Sequence, residues 1–206
     1  MTEDADLGFR IAREGFSTAT LQSSTWEEAP EHFGNWFRQR TRWLKGWMQT
    51  YLVHNREPRR ILRELGWKRW LGLHVLMGSV LLSILVHPWC YVLLILESAN
   101  GRLFAEAASP VQRWLWWIAV LNLGLGYASA MMLGALAAVH RGRPELAKQA
   151  LLTPVYWLLI SGAGYRALVQ LVRSPHLWEK TKHGTSIVAR AQPVAANRAP
   201  RDAPPG

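Results

Sequence analysis

The chain has 206 residues, half of them hydrophobic, with twelve Trp, one Cys and a formal net charge of +10. Its Lys and Arg flank long uncharged blocks instead of gathering on one soluble domain, which points to a basic protein at a membrane and against a soluble enzyme or a nucleic-acid reader. Cys90 lies inside such a block, and a single cysteine excludes an intramolecular disulfide framework.

The opening MTEDADLGFR is polar and acidic, so no cleavable signal peptide is expected. Asp4 or Asp6 can cap a helix ending near Gly15. Thr2, Glu3 and Asp4 form a T-E-D triplet with two readings. Acidic and hydroxyl residues before a helix are ordinary caps, and a carboxylate beside a sugar hydroxyl can also take its proton as a general base. STATL, residues 17–21, is a short strand candidate. EEAP then leads into a long helix in which Phe33, Trp36, Phe37, Leu44, Trp47, Met48 and Tyr51 recur at three- and four-residue steps. Arg38, Arg42, Lys45 and Gln49 recur on the other side, the pattern of a basic amphipathic helix lying in a membrane interface. Residues 1–56 form a soluble piece too small to be a comfortable domain alone.

Gln39, Arg42 and Trp43 sit at i, i+3 and i+4 of that helix, in the run QRTRW, and so share one flank. A guanidinium fork for phosphate oxygens, a carboxamide for hydroxyls and an indole for a sugar ring make a sugar-phosphate site. The spacing equally fits an anchor, with Trp43 at the headgroup level and Arg42 on lipid phosphate.

Residues 57–70 form a basic juxtamembrane segment within REPRRILRELGWKRW. Two blocks without Asp, Glu, Lys or Arg follow, 71–96 and 114–140, each longer than the roughly 20 residues a bilayer span needs. The basic segment before the first and HRGRPELAK after the second place both on the cytoplasmic side, and the charge-balanced loop between the spans fits the other side. A third apolar block, 153–172, starts on Thr153 and Pro154 and holds Arg166 and Gln170. Burying Arg166 in lipid costs about 2.5–3.5 kcal/mol on insertion scales, so this helix is expected to be interfacial or re-entrant, which keeps the following SPHLWEKTKHG cytoplasmic. His74 and His87, thirteen residues apart in the first span, read as helix-facing or pore-lining residues before metal ligands. Residues 185–206, rich in Ala, Pro and Arg, are expected to be a disordered tail.

T-E-D followed 35 residues later by Q-x-x-R-W, and then by membrane spans, resembles the processive family 2 glycosyltransferases, of which bacterial cellulose synthase catalytic subunits are the best-known members. The wording TEDADLGFR, EEAP and RQRTRWLKGW looks closest to cellulose-synthase-like transferases of the bacterial inner membrane, and the resemblance runs from Thr2 to about Gly184. It implies that Asp4 is the catalytic base, with Thr2 and Glu3 beside it at the substrate. It implies that Gln39, Arg42 and Trp43 lie near the nucleotide diphosphate and the acceptor sugar. Residues 173–184 resemble the family's gating loop, with Trp178, Lys180 and Thr181 as its candidates; a basic juxtamembrane anchor explains them equally well.

The family pattern also places a nucleotide-binding sheet and a D-x-D motif holding a divalent metal, Mg or Mn, upstream of T-E-D; those ligands are not in this sequence. The expected fold is therefore a mainly α membrane protein: the C-terminal remnant of a GT-A-type α/β domain, an interface helix, two transmembrane helices and a third interfacial or re-entrant helix. The implied activity is inverting transfer of a sugar from a nucleotide-sugar donor to a growing polysaccharide or lipid-linked acceptor, coupled to translocation. Membrane lipids, and a separate chain carrying the missing half, are the other implied partners. The rival reading is a catalytically inactive membrane fragment or anchoring subunit.

Overall fold

A computed structural model describes residues 2–19, 21, 29–101, 109–177 and 179 of the chain. The described elements are all helical: α1 (Glu3–Arg13), α2 (Phe33–His54), α3 (Pro58–Leu73), a π-helical turn (His74–Gly78), α4 (Ser79–Ala99), α5 (Pro110–His140), a 3-10 stretch (Pro144–Leu152) and α6 (Thr153–Arg173).

Helix α1 begins two residues earlier than a cap at Asp4 would start it, and four earlier than one at Asp6. Thr2 takes the extended N-cap position, and Glu3, Asp4 and Asp6 fall inside the first turn, where their charges favour the exposed amide ends. The helix stops as expected near Gly15, whose φ of 87° suits a residue without a Cβ. The strand expected over residues 17–21 is not found: Ser17, Thr18, Ala19 and Leu21 carry no strand, and Thr20 lies outside the described residues. A strand needs a neighbour for its amides and carbonyls, and no described residue is in a strand that could supply one.

The first apolar block belongs to a longer helical run than its composition marks. Helices α3 and α4 join through the π-helical turn, and within α3 only Gly66 leaves helical geometry, at φ 72° and ψ 162°. Helix α5 starts at Pro110, ahead of the expected 114, because Ser109 caps it by accepting from the Gln112 amide at 3.2 Å and Pro110 suits the first turn. The basic loop after it folds into the 3-10 stretch that leads directly into α6.

Three helical runs, Pro58–Ala99, Pro110–His140 and Pro144–Arg173, are long and apolar enough to cross a membrane. Apolar side chains cover their outer surfaces, as lipid contact requires; α5 has no buried residue. Helix α6 is not a bare span. It packs on α2 and α4 through Ser161, Ala163, Gly164 and Ala167, all buried and small enough to let backbones approach. A Cβ on Gly164 would stand 2.5 Å from Ile84 Cγ2 of α4. The charge of Arg166, the reason for expecting α6 at the surface, is met by Glu179 at 2.6 Å, so it does not face lipid unpaired. Met48, Ile61, Leu65, Leu73, Met77, Leu81 and Ala167 make the core where α2, α3, α4 and α6 meet, and Ala5, Phe9 and Ala12 of α1 pack against it.

Candidate functional site

Helix α2 is the scaffold, and each of its faces meets something different. Gln39 and Arg42 are half-buried, and Trp43 is 37 % exposed. Arg40, which the Q-x-x-R-W pattern passes over, lays its guanidinium 4.6 Å from the Trp43 ring centre and 6.0 Å from that of Trp36. One face of the indole is thus covered by a cation, which holds the ring in place. Trp36 also leans on Phe37 and on Tyr156 of α6, so the aromatic side of α2 is partly a helix-packing surface and not only an anchor in lipid.

The polar side departs from the amphipathic expectation. Lys45, expected to face headgroups with Arg38 and Arg42, is 2 % exposed. Its ammonium donates to the carbonyls of Ser174 at 2.7 Å and Leu177 at 2.8 Å, beyond the end of α6. Gln49, one turn on, donates to the Pro175 carbonyl at 3.0 Å. Burial lowers the Lys45 pKa below the ordinary lysine value, while the nearby Glu179 charge works to raise it. Glu179 is itself held by Arg166 and by Gln170 Nε2 at 3.2 Å, and the Arg166 guanidinium also reaches Thr41 Oγ1 at 3.5 Å. Thr41, Lys45 and Gln49 recur every fourth residue, so a polar stripe inside an aromatic helix was the available sequence signal for a docking edge. Through it the chain leading to the gating-loop candidates is fastened within one turn of Arg42. Trp178, Lys180 and Thr181 themselves lie outside the described residues, as does the expected tail 185–206.

The T-E-D triplet lies at the N-terminus of α1. Glu3 and Asp4 are exposed, and Asp4 accepts no hydrogen bond among the described residues, which leaves its carboxylate open to an incoming hydroxyl. Thr2 Oγ1 is buried without a described partner. Helix α1 docks at the far end of α2: Asp6 Oδ1 lies 3.0 Å from Nε2 of the buried His54, Arg13 reaches the other ring nitrogen at 3.3 Å and Glu64 of α3 at 2.6 Å, and Phe9 packs on the ring. Burial works to raise the Asp6 pKa, but the hydrogen bonds from Arg10 and His54 and the charge of Arg10 outweigh it and hold the carboxyl below the ordinary carboxylate range. Arg42 and His54 are twelve residues apart on α2, about 18 Å along the axis. T-E-D on α1 and Q-x-x-R-W on α2 are therefore separate, with no described contact between Asp4 and Gln39, Arg42 or Trp43.

His74 and His87 do not share a site. His74 Nδ1 meets Tyr51 OH at 2.7 Å beside Trp70, and His87 Nε2 meets Tyr127 OH at 2.7 Å in a separate aromatic cluster with Tyr91 and Trp157. Among the described residues no three His, Cys, Asp or Glu side chains are grouped as metal ligands. The donor set for the divalent ion implied by the family resemblance is not found among the described residues.

A family model described as Glycosyl transferase family group 2 matches residues 1–137, from the T-E-D triplet through α2 and the first apolar run to nearly the end of α5. No curated protein and no solved structure matches the chain. The match covers more than half of the 206 residues, and on that ground the chain belongs to the group 2 glycosyl transferases.

Proposed function

We propose that the chain is the acceptor-side and membrane part of an inverting, cellulose-synthase-like glycosyltransferase of the inner membrane. It would transfer a hexosyl unit from a nucleotide sugar to a growing polysaccharide or a lipid-linked acceptor. The observation that carries this reading is the family match spanning T-E-D and Q-x-x-R-W, with Asp4 exposed and unencumbered at the head of α1.

In this reading Asp4 takes the proton of the acceptor hydroxyl as its oxygen attacks the anomeric carbon from the face opposite the leaving group. The bond to the nucleoside diphosphate breaks with its electron pair, and the configuration inverts. Arg42 meets the negative charge that builds on the diphosphate oxygens, Gln39 bonds hydroxyls, and Trp43 offers its uncovered face to the acceptor ring. Thr2 and Glu3 complete the rim around Asp4. The apolar runs contribute to the path by which product leaves, with the N-terminal piece and the tail cytoplasmic. The nucleotide-binding sheet and its metal-holding D-x-D are supplied by a preceding region or a separate chain. Without that half, these helices form an inactive membrane fragment.

The test is transfer of a radiolabelled sugar by membranes carrying the transferase together with its nucleotide-binding region. Asp4→Asn is expected to lower turnover about 100- to 10,000-fold while donor binding persists. Arg42→Lys is expected to weaken transfer because an ammonium cannot reproduce the planar fork. Wild-type turnover in Asp4→Asn would remove the base assignment, and full activity in Arg42→Lys would return QRTRW to an anchoring role.

A further inference from the structure

His54 is a buried histidine that neither motif accounts for. It ends α2, is 3 % exposed, and has both ring nitrogens engaged. A guanidinium has no acceptor, so the Arg13 contact at 3.3 Å requires the lone pair on Nδ1. The proton then sits on Nε2, which donates to Asp6 Oδ1 at 3.0 Å. The other Asp6 oxygen accepts from Arg10 Nε at 2.7 Å. Both oxygens of Asp6 and both nitrogens of His54 are thereby used, and the neutral ring satisfies every contact.

The geometry follows from the helical repeat. Asp6, Phe9 and Arg13 fall at i, i+3 and i+7, one stripe of α1, and all three meet His54. Asp4 lies two residues before Asp6, about 200° around the helix. Turning Asp6 inward onto α2 turns Asp4 outward, where the structure places it exposed. Arg13 extends the same stripe to Glu64 of α3, which Arg60 also holds at 2.7 Å, so the rotation of α1 is referred to both α2 and α3. No substrate can reach the enclosed ring.

We propose that His54 is a positioning residue for sugar transfer: through Asp6 it fixes the rotation of α1 and so the aim of Asp4. This rests on Asp4 being the base, and the test separates the two. Hydrogen exchange of the α1 amides is followed in the membrane-bound protein for His54→Ala, His54→Gln, Asp6→Asn and Asp4→Asn, beside sugar transfer by the complete transferase. His54→Ala and Asp6→Asn are expected to speed α1 exchange about tenfold, the loss of a hydrogen bond to a charged group, with α4 to α6 unchanged. They are expected to lower kcat by a similar factor with the donor KM unaltered. His54→Gln, which retains a donor toward Asp6, is expected to recover much of both.

Asp6→Asn removes the contact from the α1 side without opening the core, so misfolding of His54→Ala does not blunt the test. Wild-type exchange of α1 in both variants overturns the tether. Loosened α1 with wild-type kcat, while Asp4→Asn is inactive, overturns the positioning role. An Asp4→Asn protein with wild-type turnover and wild-type α1 exchange instead refutes the base assignment alone, and leaves His54 no catalytic group to aim.

Discussion

Lys45→Met isolates what a single buried charge contributes beside QRTRW. Methionine replaces the aliphatic stem at nearly constant volume, so no large cavity opens; what goes is the ammonium. Two carbonyls, of Ser174 and Leu177, then lose the donor that met them at 2.7 and 2.8 Å. Hydrogen bonds from a charged donor contribute about 1.5–3 kcal/mol each. Against that loss stands the desolvation that the buried ammonium no longer suffers, also several kcal/mol. Removing the ion does not come out neutral here, because only one side of the contact changes, although Ser174 and Leu177 are themselves exposed and water meets part of the loss. We therefore expect a net loss of about 2–4 kcal/mol in the docking of residues 174–177. The Ser174 and Leu177 amides, bonded to Gln170 O at 2.9 Å and Ser174 O at 3.1 Å, report on that turn. Their hydrogen exchange in detergent should accelerate by about 30- to 700-fold, tenfold for every 1.4 kcal/mol. Unchanged exchange in Lys45→Met would show that Gln49 and the Glu179 cluster hold the segment unaided, and the importance given to Lys45 would be wrong.

Gly164→Ala should push α6 off α4, because its Cβ would lie 2.5 Å from a branched methyl of Ile84 that cannot swing aside; a cost of about 1–3 kcal/mol is expected in thermal unfolding, and Ile84→Ala in the same chain should restore part of it. If the single variant unfolds like wild type, the helices are not in that close contact. The Asp6 carboxyl titrates below its ordinary value of 3.8, so its contribution to docking α1 is complete above that pH and disappears as pH falls through the lower, folded value. Exchange of α1 amides, corrected for intrinsic rates, should therefore hold steady from pH 7 to about 4 and rise only below. Release of α1 near pH 6 would mean that another group controls it, and Asp6→Asn should abolish the acid transition.

What the sequence makes legible is what periodicity and run length can report. Phe33, Trp36, Phe37 and Leu44 mark α2, the uncharged blocks mark the apolar runs, and Ser109 with Pro110 marks a helix start. Contacts across long separations are another matter. Lys45 and Ser174 are 129 residues apart, and helical periodicity says which side of α2 the lysine occupies but not that α6 ends against it. The same holds for Arg166, whose carboxylate partner lies thirteen residues on in Glu179. The strand expected over 17–21 fails for the opposite reason: its local β pattern has no sheet to receive it among the described residues. For the candidate site, Asp4, Gln39, Arg42 and Trp43 were readable as chemistry, whereas Arg40 over the indole and His54 behind Asp6 emerge only once rings and helices are placed in space.

Gly66 kinks α3 into two segments. Up to that residue α3 is tied to α1 through Glu64 and Arg13; after it the helix continues into the first apolar run. A transmembrane helix tilts to match the thickness of its bilayer, and a stiff rod would carry that tilt straight into the assembly that holds Asp4. A backbone conformation that only glycine adopts comfortably interrupts the rod ahead of the first apolar run. Residues on both sides of Gly66, Ile61 and Leu65 before and Leu73 and Met77 after, pack into one core with Met48 of α2, so a change in the inclination of the apolar run reaches α1 through α2 and not along a continuous α3.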